Sequence, residues 1–242
     1  MVAFDNSASI ASRIAQLPWS MIEAQVNAEG YATTGTLLTA DECAALITSY
    51  ADGAAFRSRV VMARHGYGRG EYQYFSYPLP SLIATGRAAL YPRLSAIANR
   101  WRASLKLPEA FPAEHAEFLA LCHAAGQTRP TPLLLKYAAG DYNCLHQDLY
   151  GEHVFPLQVA ILLSRPGQDF EGGEFVLTEQ RPRMQSRVAV VPLSLGEAVI
   201  FAVNERPMHG TRGSYRVKMK HGVSALRAGQ RYTAGIIFHD AA

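Results

Sequence analysis

The sequence predicts an α+β fold, with an N-terminal helical layer packed against a double-stranded β-helix, or jelly roll, of about eight antiparallel strands. Three observations predict it. Apolar residues recur at helical spacing in the first half; short β-branched and aromatic runs follow one another from Pro132 onward; turn clusters, not helical stretches, separate those runs. The chain reads as one unit over residues 1–242, with helical support and a substrate-loop region in 1–131 and the jelly-roll core in 132–242.

The elements follow in order. Thr39 with Glu42 forms a capping box that opens a helix through about Tyr50. Leu82 to Leu105 and Ala113 to Ala124 carry apolar residues at helical spacing. Between the first and second helices, RSRVVMARHGYGRGEYQYFSYPLP has β-branched and aromatic residues on both sides of a Gly and Arg segment, which predicts two strands joined by an exposed, basic, glycine-hinged loop. From Pro132 the expected strands are PLLLKYAA, YNCLHQD, PLQVAILLS, GEFVLTEQ, SRVAVVPL, EAVIFAV, VKMKHGVSAL and RYTAGIIF, with turns at PGQDFEGG, LSLGE and RAGQ.

Composition bounds the function. The chain has 242 residues, 49% hydrophobic and 18% charged, enough for one large core. A net charge of +3 tolerates an anionic partner without demanding one. Cys43, Cys122 and Cys144 show no CxxC spacing, which argues against a zinc cluster or disulfide framework and fits a reducing compartment. The first thirty residues lack a basic start followed by an apolar core, and no apolar run reaches the roughly 18 residues a membrane span needs. The expectation is a cytoplasmic protein with no membrane partner.

The chemistry centres on LKYAAGDYNCLHQDLYG. In a strand, side chains two apart share a face, so His146 and Asp148 would present an imidazole and a carboxylate together, as a metal requires. A third ligand could come from His209 or from His221. His209 lies among Pro and Gly; His221 ends an alternating run, followed by a turn at RAGQ and a strand from Arg231, and is favoured because such a hairpin would bring His221 and Arg231 onto neighbouring strands. Two histidines and one carboxylate form the facial set of non-haem Fe(II) oxygenases, while zinc hydrolases also use such ligands. Arg231 favours the oxygenase, because a guanidinium can clamp a dicarboxylate co-substrate through two parallel charged hydrogen bonds.

The ordered series KYAAGDYNCLHQD, LSRPGQDFEGGEFVL, LSLGEAVIF and HGVSALRAGQRYTAGIIF resembles the core of the 2-oxoglutarate and Fe(II)-dependent dioxygenases, in particular their AlkB-like and prolyl-hydroxylase-like branches. With RHGYGRGEYQYF, it is further similar to a bacterial family of that superfamily assigned to oxidative demethylation of damaged nucleic acid. The resemblance implies that His146, Asp148 and His221 hold Fe(II), that Arg231 anchors 2-oxoglutarate, and that Tyr137 lies near the co-substrate. It implies a reaction with molecular oxygen in which 2-oxoglutarate becomes succinate and carbon dioxide and a substrate C–H bond is hydroxylated. An N-methyl group so hydroxylated leaves as formaldehyde.

A nucleic-acid partner, single-stranded or with a flipped base, has support of its own. Arg64, His65, Tyr67, Arg69, Tyr72 and Tyr74 combine cations for phosphate with rings for stacking, with Arg64, Tyr67, Arg69 and Tyr72 as the substrate-binding candidates. Arg206, Arg212, Arg216, Lys218 and Lys220 form a second basic run, and both stretches are expected around the mouth of the barrel. The leading expectation is an oxidative demethylase of alkylated bases in DNA. Alternatives are a hydroxylase of a protein side chain or small metabolite, and an inactive barrel kept as a binding module.

Overall fold

The computed structural model describes residues 8–108, 111–211 and 213–242, so Arg212 of the second basic run lies outside the described residues. Five α-helices of the described residues lie in the first half of the chain, with strands among them: α1 (Ile10–Ala15), α2 (Trp19–Glu29), α3 (Ala40–Ser49), α4 (Ser81–Ser104) and α5 (His115–Ala124). The capping box at α3 forms as expected, Thr39 accepting from the Glu42 amide while Glu42 accepts from the Thr39 amide, a device worth about 1 kcal/mol. Arg13 of α1 then pairs with the same Glu42, tying the two helices together.

Two sheets face each other. The strands are β1 (Tyr31–Thr36), β2 (Phe56–Val61), β3 (Gly68–Arg69), β4 (Glu71–Phe75), β5 (Leu133–Ala138), β6 (Tyr142–His146), β7 (Leu157–Leu162), β8 (Phe170–Gly172), β9 (Phe175–Gln180), β10 (Arg187–Val191), β11 (Glu197–Ala202), β12 (Glu205–Gly210), β13 (Gly213–Val223) and β14 (Leu226–Ile236). The larger sheet runs β1-β11-β7-β14-β5-β4-β2, with β8 on β14; the smaller runs β10-β9-β13-β6-β3, with β12 on β13. All their strand pairings are antiparallel, as the turn pattern predicts.

Strand alternation divides the larger sheet. Val159, Ile161, Ile200, Ala234 and Ile236 pack outward with Ile14, Ile22, Leu90, Leu94 and Phe118 of the helices, while Tyr137, Ala160, Leu162, Val199 and Phe201 join clusters on the inner side. The predicted helical wall is therefore present, with α1 and α2 added. Residues 1–131 are more than helical, however, because β1 to β4 come from them and β1, β2 and β4 extend the larger sheet.

One predicted turn is absent. RAGQ lies inside β14, where Gly229, at φ +77, passes so close to the Asp169 carbonyl that no side chain fits. The chain instead crosses between sheets at Ser224 and Ala225, so β13 and β14 are not neighbouring strands of one hairpin. His221 and Arg231 both point inward, but from opposite sheets.

Candidate active site

A cavity of about 360 Å³ opens between the sheets and is lined by His146, Asp148, His221, Tyr137 and Arg231, all five inner residues singled out in the sequence. His146 and His221 stand directly opposite each other on β6 and β13, with ring centres 4.2 Å apart. Strand β6 stops at His146, two residues short of the expected end, and Asp148 occupies the segment that follows. Its carboxylate still reaches both rings, Oδ1 at 3.4 Å from His146 Nε2 and Oδ2 at 3.3 Å from His221 Nε2. The ligand atoms of the three residues all lie within 4.8 Å of one another.

Their surroundings fix orientation and charge. His146 Nδ1 meets the Cys144 carbonyl at 2.8 Å, which makes Nδ1 the donor and fixes the ring with Nε2 turned toward Asp148. Tyr150 donates to Asp148 Oδ1 at 2.7 Å. Burial works against the Asp148 carboxylate, but hydrogen bonds from the two imidazoles outweigh it and hold its pKa well below the usual range. Burial likewise opposes a charged His146, yet the Asp148 hydrogen bond and charge raise its pKa; at His221 burial prevails and the pKa falls. An anionic carboxylate and two imidazoles with converging nitrogens suit a divalent metal, and the mixed N and O set with open space beside it fits Fe(II).

Arg231 closes the opposite end. It is 2% exposed, its Nη1 donates to Thr233 at 2.6 Å, and its Nε has no partner. Among the described residues it forms no ion pair; its guanidinium rests 5.7 Å from the Tyr137 ring centre and 5.9 Å from that of Phe170. Burial lowers its pKa to about 10, which still leaves it charged at neutral pH. A buried guanidinium with no ion pair among the described residues suits a carboxylate brought into the cavity by a ligand. The predicted GG turn serves this end of the cavity, since Gly173, at φ +62, lies where a Cβ would come within 3.1 Å of Arg231 Cδ. Tyr137 pairs with Arg231 in register on β5, receives a long hydrogen bond of 3.4 Å from Asn143, and is pushed up to about 12 by burial.

The other candidates separate. Tyr67 and Tyr72 line the cavity, whereas Arg64 and Arg69 are exposed and do not. The loop that carries them is nevertheless tied to the site, because β3 pairs with β6 and the Tyr67 carbonyl accepts from the Cys144 amide. His65 stacks on Tyr67 at 5.3 Å between ring centres. His209 lies on β12 beside Ser214, outside the triad. The second basic run does not ring the mouth as expected. Arg206 is 1% exposed and buried against Glu179, and Arg216, Lys218 and Lys220 alternate with Val217, Met219 and His221 on β13, so they face away from the cavity. Sequence reasoning missed Tyr150, Thr233 and Gln158, although the two-residue spacing from Asp148 to Tyr150 and from Arg231 to Thr233 carried a signal.

The family described as "Oxygenase, catalysing oxidative methylation of damaged DNA" matches residues 70–241, well over half of the chain. This chain belongs to that oxygenase family. Relatives of the oxygenase include an uncharacterized protein of Mycobacterium tuberculosis strain CDC 1551 / Oshkosh and one of strain ATCC 25618 / H37Rv, each 47% identical over 194 residues, 78% of this chain and 83% of theirs. Among solved structures it is similar to an oxidoreductase of the 2OG-Fe(II) oxygenase family from Burkholderia pseudomallei (TM-score 0.57, 15% identity, 94% of each chain). It is also similar to a Trichoplax adhaerens prolyl hydroxylase in complex with a hypoxia inducible factor peptide fragment (TM-score 0.55, 14% identity, 96% of this chain and 94% of that one). At such identities the likeness establishes the fold. No helix of the described residues is long and apolar enough to cross a membrane.

Proposed function

We propose that this oxygenase uses Fe(II) and 2-oxoglutarate to remove methyl groups from alkylated bases in nucleic acid, with residues 1–242 acting as one catalytic unit. The observation that carries the reading is the pairing, in one cavity, of the His146, Asp148 and His221 cluster with a buried, unpaired guanidinium at Arg231. In this reading His146 Nε2, Asp148 and His221 Nε2 hold the iron, Arg231 clamps the distal carboxylate of the co-substrate, and Tyr137 packs beside that clamp. Bound iron and 2-oxoglutarate would supply oxygen activation and hydroxylation of a C–H bond. The protein's own part is placement: Tyr150 orients Asp148, the Cys144 carbonyl orients His146, and the apolar walls from Leu133, Leu135, Phe175 and Phe201 exclude water.

Oxidation at an N-methyl carbon removes that carbon as formaldehyde, so the direction of reaction is demethylation. A nucleic-acid substrate is supported by the family description and by the loop at the cavity, where exposed Arg64 and Arg69 flank the His65 and Tyr67 stack. Cations for the backbone beside an exposed ring for a base are what single strands need. The test is formaldehyde release, with matched succinate, from a single-stranded oligonucleotide carrying N-methylated adenine or cytosine. Release that requires both Fe(II) and 2-oxoglutarate is expected. Succinate without formaldehyde would transfer the chemistry to a protein or metabolite substrate, and neither product would remove the reading.

A further inference from the structure

Gln158 is unused by the chemistry described above. It lies on β7, is 4% exposed, and lines the same cavity as the triad. Its Nε2 is buried without a hydrogen-bond partner, and among the described residues its side chain makes no hydrogen bond at all. A buried amide left unsatisfied is costly, and native structures seldom keep one without a reason.

Its position separates it from the co-substrate clamp. Strand β7 runs antiparallel to β14, Thr233 pairing with Leu162 and Ile236 with Val159, so Gln158 lies one residue beyond Ile236. Arg231 is six residues back from that level along β14, roughly 20 Å at about 3.3 Å per residue. Gln158 therefore stands at the opposite end of the cavity from Arg231. It pairs in register with Phe201, whose ring centre is 4.7 Å from that of His221, so it is beside the triad.

The walls near this end are flat and largely apolar. Tyr74 pairs with Leu133 across β4 and β5, Leu133 pairs with Gly235, and Tyr74, Leu133 and Ile237 form one buried cluster with Tyr72 and Tyr150 packed against it. Gly235 packs closely here, a Cβ at that position coming within 2.7 Å of the end of the Leu133 side chain. Rings and one free amide donor suit a planar heterocycle that presents a hydrogen-bond acceptor, a carbonyl oxygen or a ring nitrogen.

We propose that Gln158 is the specificity-determining residue of this site, its Nε2 donating to an acceptor atom on the edge of a planar heterocyclic base held among Tyr72, Tyr74 and Tyr150. The assignment deepens the reading of a base demethylase and rests on it for the substrate class, but binding tests it without turnover. Calorimetry with free 3-methylcytidine and 1-methyladenosine is carried out on the full chain loaded with Mn(II) and 2-oxoglutarate. Gln158→Leu, which removes the donor, is expected to weaken nucleoside binding by roughly tenfold to a hundredfold. Gln158→Met keeps the length without the donor or a new charge, and is expected to lose as much.

Dialysis against labelled 2-oxoglutarate serves as the control, and both variants are expected to retain the wild-type midpoint. Equal nucleoside affinity in wild type and Gln158→Leu overturns the proposal, as does wild-type affinity in Gln158→Met. A shift confined to 2-oxoglutarate also overturns it, because that would make Gln158 a co-substrate residue. Absence of nucleoside binding by the wild type overturns it too, while the oligonucleotide assay separately decides demethylation.

Discussion

Replacing Arg231 should uncouple stability from function. The guanidinium is 2% exposed and has, among the described residues, one hydrogen bond, to Thr233, two ring contacts and no ion pair to offset the cost of burying its charge. Removing an uncompensated buried ion and filling its stem volume with an unbranched apolar side chain is neutral or stabilising, by on the order of 1–3 kcal/mol. Arg231→Met is thus expected to melt at or above the wild-type temperature when no 2-oxoglutarate is present. Truncating one partner of a desolvated charge pair costs about 2–5 kcal/mol, so 2-oxoglutarate affinity should fall roughly thirtyfold to several thousandfold. Wild type gains about 2.7 kcal/mol from ligand at a hundred times its dissociation constant, and the variant gains at most about 0.9 kcal/mol, so any ligand-free advantage of the variant should shrink or reverse. The assay is thermal unfolding with Mn(II), with and without 2-oxoglutarate, together with dialysis for affinity. A variant that is less stable than wild type without ligand and equally stabilised by it would refute the reasoning.

Three further outcomes are expected. Tyr150→Phe removes the hydrogen bond donated to Asp148 at 2.7 Å and should lower Mn(II) affinity about tenfold to a hundredfold by equilibrium dialysis; unchanged affinity would deny Tyr150 an orienting role. Arg64→Ala with Arg69→Ala should weaken single-stranded oligonucleotide binding and flatten its dependence on log salt by about 1.4, two contacts at roughly 0.7 each, and an unaltered slope would separate this loop from phosphate. His115 and His239 are buried, and burial lowers each pKa from 6.5 to about 4. The unfolded chain gains these protons below pH 6.5 and the folded chain only near pH 4, so stability is full above pH 6.5 and declines between the two values, by on the order of several kcal/mol for the two rings together. Urea midpoints at pH 7 and pH 4.5 check this, and equal midpoints would show that both rings titrate normally.

How much of this was legible depended on the range of the interaction. The α3 cap is local, Thr39 and Glu42 being three residues apart, and its signal was complete. The core strands were legible because period-two alternation is also local; β13 shows it, with Val217, Met219 and His221 buried between exposed lysines and arginines. The same alternation, followed through, would have turned Arg216, Lys218 and Lys220 outward. Strand β1, reading YATTGT, has a tyrosine and threonines that favour strands, but it is a short run between helices, interrupted by a glycine, and its place in the sheet is set by its distant partner β11. RAGQ reads as a turn by composition, yet β8 and β5 pair along it and hold it within β14 despite the left-handed Gly229. The burial of Arg206 depends on Glu179, a partner 27 residues away that no local pattern indicates. The triad residues were visible as chemistry, but their convergence depends on the register that sets His221 opposite His146.

The most direct test of the account is anaerobic Fe(II) binding by equilibrium dialysis in the presence of 2-oxoglutarate, for the wild type, His146→Ala and Asp148→Ala. The account predicts one ion per chain for the wild type and none for either variant at the same free metal concentration, with all three folded by circular dichroism. One tightly held ion per chain in both variants, or none in the wild type, would contradict it.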